Sequence, residues 1–153
     1  MKILDYLREA WIITDLQGTD KSSVLRELVN VLVEPCQAGS LEDLLQVLLE
    51  RERLESTGIG DGIAIPHGRL KKLKEFYISF GRSTKGIDFD SIDGKPSHLF
   101  FLVMAPENSA VNNLKLLGRI VTLLKDPSFR KQLMEAHSPQ EVFRSISEEE
   151  EKY

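Results

Sequence analysis

The chain has 153 residues, 41% hydrophobic and 29% charged, and its 20 basic and 24 acidic side chains give a formal net charge of -4. That balance lacks the basic footprint of nonspecific nucleic-acid binding or of a polybasic membrane contact. No apolar run approaches the ~20 residues that cross a bilayer, the charges in "MKILDYLREAW" interrupt any signal-peptide core, and the single cysteine, Cys36, permits no internal disulfide, so the expected address is the cytoplasm.

A chain this long fits one domain able to bury a core without cross-links. "AWIITDL" is rich in β-formers and reads as a first short strand. "TDKSSVLRELVNVLVEP" then places Val24, Leu25, Leu28, Val29 and Leu32 at helical spacing, with Asp20 as N-cap and Pro35 ending the run. Ser40 with Asp43 forms a capping box for a second helix carrying Leu41, Leu44, Leu45 and Leu48 and running to about Arg51. "FYISFGRS" and "SHLFFLVMA" read as strands, the second apolar enough to be central, with an Asp93-Gly94 turn between them. Three helices follow, over about Ala110 to Leu124 and after the Asp126-Pro127 and Ser138-Pro139 starts. Helices flanking a mixed sheet on both faces give an α/β layer architecture. The domain is expected over residues 1–147, with 148–153 as a solvated, mobile acidic tail.

Several site chemistries are absent. Gly81 to Gly86 has P-loop spacing, but Ile87-Asp88 follows where Lys-Ser/Thr must stand. Gly58, Gly60 and Gly62 lack the dinucleotide spacing, no nucleophile elbow occurs, and His67, His98 and His137 form no i,i+4 pair to begin a zinc site.

"STGIGDGIAIPHGRL", residues 56–70, is the informative stretch. Pro66 fixes its own φ and biases Ile65 to extended conformations, so "GIAIP" reads as a short strand that stops at Pro66 and leaves His67 at its end. The glycines permit tight turns and expose backbone N–H groups to a close anion. Ser56 and Thr57 add hydroxyls, and Arg51 and Arg53 add guanidinium groups suited to phosphate. A histidine titrates near neutrality, so a neutral imidazole is available as a nucleophile. On these residues alone the stretch reads equally well as a site or as an ordinary tight turn.

"RERLESTGIGDGIAIPHG", residues 51–68, resembles the signature of the fructose/mannitol-type enzyme IIA of the bacterial phosphoenolpyruvate:sugar phosphotransferase system, a family that includes the nitrogen-regulatory IIA proteins. The likeness extends to "TDKSSVLRELVNVL", "GIDFDSIDGKP", "FLVMAPENS" and the C-terminal helices, nearly the whole chain. The resemblance implies the enzyme IIA mannitol/fructose-type fold and a phosphotransferase component working through a covalent phosphohistidine. His67 would accept a phosphoryl group on Nε2 from the small phosphocarrier protein HPr or a nitrogen-branch relative. It would pass the group to a IIB domain, or let its phosphorylation state govern binding to a regulated target protein. Neither exchange needs a metal, a nucleotide or another cofactor, and none requires membrane insertion or nucleic acid.

Arg51 matches the family's arginine ahead of the active histidine and would clamp the phosphoryl oxygens. Ser56 and Thr57 would hydrogen-bond the phosphate or hold the loop, and Gly58, Gly60 and Gly62 would shape it. In many family members a second histidine packs against the first; here Asn113 stands in its place, able to donate a hydrogen bond but never to become a cation. The absence of a fused IIB or IIC segment in this sequence leans towards a regulator. The sugar, the oligomeric state and the target are not written in the sequence. Among the remaining residues, His98 reads as structural, His137 as complementing a helix end, Cys36 as a small buried or half-exposed residue, and Trp11 and Phe100-Phe101 as core.

Overall fold

A computed structural model describes all residues, Met1–Tyr153. A six-stranded mixed sheet lies between two layers of helices. Its strands are β1 (Leu7–Ile13), β2 (Gly58–Gly60), β3 (Ile63–Ala64), β4 (His67–Leu70), β5 (Tyr77–Ile87) and β6 (Ser97–Pro106). The order is β1-β5-β6-β3-β2, with β4 also paired to β6. β6 is therefore central, antiparallel to β5 and parallel to β3 and β4. Its seven residues Leu99–Ala105 are all buried, as a strand covered on both faces requires.

Alternation along β6 sorts the core into two clusters. Leu99, Phe101, Val103 and Ala105 face α4 (Ala110–Leu124), α5 (Pro127–Glu135) and α6 (Pro139–Glu150) through Leu116, Ile120, Phe129, Leu133, Val142 and Ile146. Phe100, Leu102 and Met104 face α1 (Lys21–Asn30), the one-turn α2 (Val33–Cys36) and α3 (Leu41–Leu54) through Val24, Leu25, Leu28, Leu44 and Leu48. Trp11 packs, half-buried, against both clusters.

The caps fall where the residue types direct. The side chains of Asp20 and Ser40 each accept the N3 amide of their helix, and their backbone N–H groups donate the reciprocal capping-box bond to the Ser23 and Asp43 side chains. Asp126 and Ser138 cap helices that open on proline.

Three boundaries differ from the sequence reading. β1 begins at Leu7, ahead of "AWIITDL", because parallel pairing with β5 captures Leu7 opposite Ile78. α1 ends at Asn30; Pro35 does not terminate it but lies in the first turn of α2, where its missing N–H would have had no intrahelical partner. The acidic end is no solvated tail as far as Glu150. Residues 148–150 form the last turn of α6, and Glu149 and Glu150 are buried. Glu150 accepts the backbone N–H groups of Ile3 (2.8 Å) and Leu4 (3.1 Å) and the Nε of Arg119 (2.7 Å).

Candidate functional site around His67

β3 and β4 run alongside β6 in one unbroken register, Ile63 opposite Leu99 and His67 opposite Val103. The sequence reading ended a strand at Pro66; instead the ladder pauses at Ile65-Pro66 and resumes, so His67 opens β4. The pause has a cause and a use. Pro66 has no N–H to give the ladder, although its carbonyl still accepts from the Val103 amide at 2.9 Å. Ile65 is then free to turn its peptide groups elsewhere: its N–H donates to the carbonyl of Thr57 at 3.0 Å, and its carbonyl accepts from Nδ1 of His67 at 2.9 Å.

In-register pairing puts partnered side chains on the same side of a sheet. His67 therefore projects to the Val103 side, which α4 covers, and Gly68 to the Met104 side, which α3 covers. A Cβ on Gly68 would stand 2.7 Å from Cγ1 of Val47, so the missing side chain lets α3 lie directly on β4. Gly68 is a site-shaping residue that the sequence reading did not single out.

A carbonyl oxygen only accepts, so the bond to Ile65 fixes the neutral ring with its proton on Nδ1 and its lone pair on Nε2. Nε2 makes no hydrogen bond within the chain and is not among the buried unpartnered polar atoms, so it meets solvent. Burial of the half-exposed ring is the main force holding its pKa below the ordinary histidine value. The Ile65 carbonyl opposes this, the Arg51 charge adds to it, Glu52 opposes it, and Arg69 adds a little. The product is a neutral imidazole with a free, solvent-facing ring nitrogen that feels the Arg51 charge, an arrangement able to act as a nucleophile.

The remaining predicted residues divide by role. Arg51, half-buried in the last turn of α3, donates from Nη1 to the carbonyl of Glu55 at 2.7 Å, which caps the helix and commits one of its five N–H donors. Arg53 is exposed. Ser56 and Thr57, for which phosphate binding and loop support were both open, hold the loop. Ser56 Oγ donates to Phe89 O at 2.5 Å and accepts from Gly58 N at 3.0 Å. Thr57 is buried and donates both its hydroxyl and its amide to the carboxylate of Glu52. Asn113 is buried in the first turn of α4, with Oδ1 enclosed and unpartnered. Its Nδ2 makes no hydrogen bond in the chain and is not enclosed.

The glycine run shapes the loop, as the resemblance implies, by forming a hairpin. Gly58–Gly60 and Ile63–Ala64 are the arms of a hairpin whose two-residue loop is Asp61-Gly62, both at positive φ (56° and 76°). Asp-Gly at such a loop is a strong hairpin signal, present in "GIGDGI" and passed over in favour of the glycine spacing. Glu52 and Arg69 were also missed. Glu52 lies four residues after Leu48 on the apolar stripe of α3, and Arg69 alternates with His67 along one side of β4. Elsewhere, His98 bonds through Nδ1 to Ser83 O at 2.9 Å, and burial pushes the Cys36 thiol up to about 12. No three His, Cys, Asp or Glu side chains gather as metal ligands, and no helix is long and apolar enough to cross a membrane.

Comparison with known proteins gives this geometry its context. Residues 5–149 match the family model described as phosphoenolpyruvate-dependent sugar phosphotransferase system, EIIA 2. A nitrogen regulatory protein of Bradyrhizobium diazoefficiens is 37% identical over 147 residues, covering 96% of this chain and 95% of that protein. A fructose-specific EIIABC component of Bacillus subtilis is 37% identical over 148 residues, which is 97% of this chain but 23% of that protein's length. The crystal structure of nitrogen regulatory protein IIA-Ntr from Neisseria meningitidis superposes with a TM-score of 0.88 at 32% identity, covering 93% of this chain and 97% of that one. The chain belongs to the EIIA type 2 family of the phosphoenolpyruvate-dependent sugar phosphotransferase system, whose members are phosphotransferase components and include the nitrogen regulatory IIA proteins.

Proposed function

We propose that this chain is a phosphocarrier that accepts a phosphoryl group on Nε2 of His67 from the phosphohistidine of HPr or a nitrogen-branch relative and hands it to a IIB domain. The observation that carries this reading is the bond from Nδ1 to Ile65, which leaves Nε2 with its lone pair and with access to solvent. In the exchange the Nε2 lone pair forms a bond to phosphorus while the donor's N–P bond breaks and its electron pair returns to the donor imidazole. Little covalent work falls to the protein, so positioning and charge stabilisation dominate.

As Nε2 gives up its lone pair the ring becomes positive, and the Ile65 carbonyl lies against the Nδ1 proton where much of that charge appears. Arg51, with donors beyond the one that caps α3, supplies the cation for the phosphoryl oxygens. The NH2 group of Asn113 supplies a neutral donor.

Exposed apolar side chains support a protein rather than a small molecule as donor and acceptor. Leu54 (83% exposed) ends α3, Ile92 (76%) hydrogen-bonds by its amide to the carbonyl of Gly58, and Val111 and Leu114 lie one turn apart on α4.

Incubation with labelled phosphoenolpyruvate, enzyme I and the phosphocarrier should place label on the wild-type chain and none on His67→Ala. Label retained in that variant would refute the assignment. A regulatory reading, in which partner proteins distinguish the phosphorylated from the free form, is supported by the near full-length likeness to a nitrogen regulatory protein. Phosphoryl turnover to a sugar through added IIB components favours transport; a partner retained by only one phosphorylation state favours regulation.

A further inference from the structure

Glu52 is a buried carboxylate to which phosphoryl transfer as described assigns no part. Its side chain is 4% exposed and lies on the apolar stripe of α3 that carries Leu44, Leu45 and Leu48. It is also in the last turn of that helix, where the macrodipole disfavours negative charge. Its cation, Lys21 Nζ at 3.1 Å, stands on the first residue of α1, at a helix end that disfavours positive charge. Lys21 reaches Asp90 at 3.1 Å as well and sits 4.7 Å from the centre of the Phe89 ring. A buried ion pair is weak evidence for stability, since apolar residues often serve as well. Two charges, each at the unfavourable end of its helix, call for another explanation.

The hydrogen bonds supply one. Glu52 receives the hydroxyl and the amide of Thr57. The carbonyl of Thr57 receives the amide of Ile65 at 3.0 Å, and the carbonyl of Ile65 receives Nδ1 of His67 at 2.9 Å. Each bond fixes the residue that makes the next, so Glu52 holds Thr57, Thr57 holds Ile65 and Ile65 holds the ring. The carboxylate that gathers two donors of Thr57 stands at one end, and the imidazole proton lies at the other.

We propose that Glu52 is a positioning residue for His67, acting through Thr57 and Ile65 to fix the ring with its proton on Nδ1 and its lone pair on Nε2. Lys21 holds the carboxylate in place, and the stitching of Asp90, Phe89 and Ile92 to this segment ties the exposed loop 88–94 to the same chain. The purpose of the fixed tautomer rests on the phosphocarrier reading; the chain itself does not.

The test uses the full chain as wild type, Glu52→Gln and the near-isosteric Thr57→Val, with two readouts. Nitrogen-15 NMR of the His67 ring, at a pH above its titration, reports the tautomer without any phosphoryl chemistry. Transfer from the phosphorylated carrier gives kcat and KM. Wild type should show the Nδ1–H form alone, and both variants a mixture with the Nε2–H form. Their kcat should fall about tenfold, equivalent to about 1.4 kcal/mol, with KM for the donor protein unchanged. Either variant, folded by its amide spectrum, that keeps the wild-type tautomer overturns the proposal, whatever happens to kcat. If Glu52→Gln does not fold, Thr57→Val decides alone. Failure of the wild type to take up label sinks the phosphocarrier reading, while the ring spectra still decide the role of Glu52.

Discussion

Nδ1 of His67 donates its proton to the carbonyl oxygen of Ile65, 2.9 Å from the nitrogen and only two residues earlier in the chain. The bond leaves Nε2 as the nitrogen with a lone pair, and the Ile65 carbonyl that makes it is held in turn through Thr57. Because burial holds the folded ring's pKa below the ordinary value of 6.5, acceptance of phosphoryl groups should persist as the pH falls through that value and decline only further down. The linked effect on folding has a definite sign. Below about pH 6.5 the unfolded chain binds the proton that the native ring refuses, so stability should decrease as pH falls from there towards the folded pKa. Urea midpoints of wild type and His67→Gln at about pH 7.5 and 5.5 check this, the variant losing less on acidification.

Asn113 stands where the family resemblance implies a second imidazole, and it cannot take up a proton. Restoring that group with Asn113→His should accelerate phosphoryl transfer and add a titration to its pH–rate profile. Equal rates and an unchanged profile would show that Arg51 and neutral donors already suffice.

Glu150 is 2% exposed and binds Ile3, Leu4 and Arg119 at once. Replacing it with alanine removes the acceptor for two amides and leaves Arg119 without its ion-pair partner. The expected loss is about 3 kcal/mol of unfolding free energy, read from urea titration, with His67 still phosphorylated at temperatures where the variant is folded.

Gly68→Ala tests the packing behind the site. The added methyl meets the Val47 side chain on α3 at 2.7 Å, so that side chain, the helix or β4 must shift. A cost of about 2 kcal/mol is expected from overpacking. The transfer rate should fall with stability, because β4 begins with His67; a fully active and equally stable variant would show that α3 is free to retreat.

Much of this molecule was legible in its sequence, and the exceptions share a cause. Asp20, Ser40, Asp126 and Ser138 announce helix starts because capping is a local exchange between residues three apart or fewer. The runs that became β5 and β6 are likewise apparent, since a strand buried on both faces must be apolar throughout. His67 could be picked out by its neighbours, but what those neighbours do could not. Ser56 and Thr57 looked like free donors until their partners, Phe89 and Glu52, were seen to claim them. Glu149 and Glu150 looked solvated because a run of acids usually is, and nothing nearby in sequence revealed that Ile3, Leu4 and Arg119 would be waiting. The break at Ile65-Pro66 came through as a strand end, because a missing N–H does not say whether the ladder stops or resumes.

The grip of Glu150 on Ile3 and Leu4 brings the beginning of the backbone to the last turn of α6. A short polar bridge from residue 153 to residue 1 would therefore close the polypeptide into a ring with little strain. Such a ring could be opened again at the exposed turn of Lys71-Lys72, giving a permuted chain whose new ends emerge just after β4.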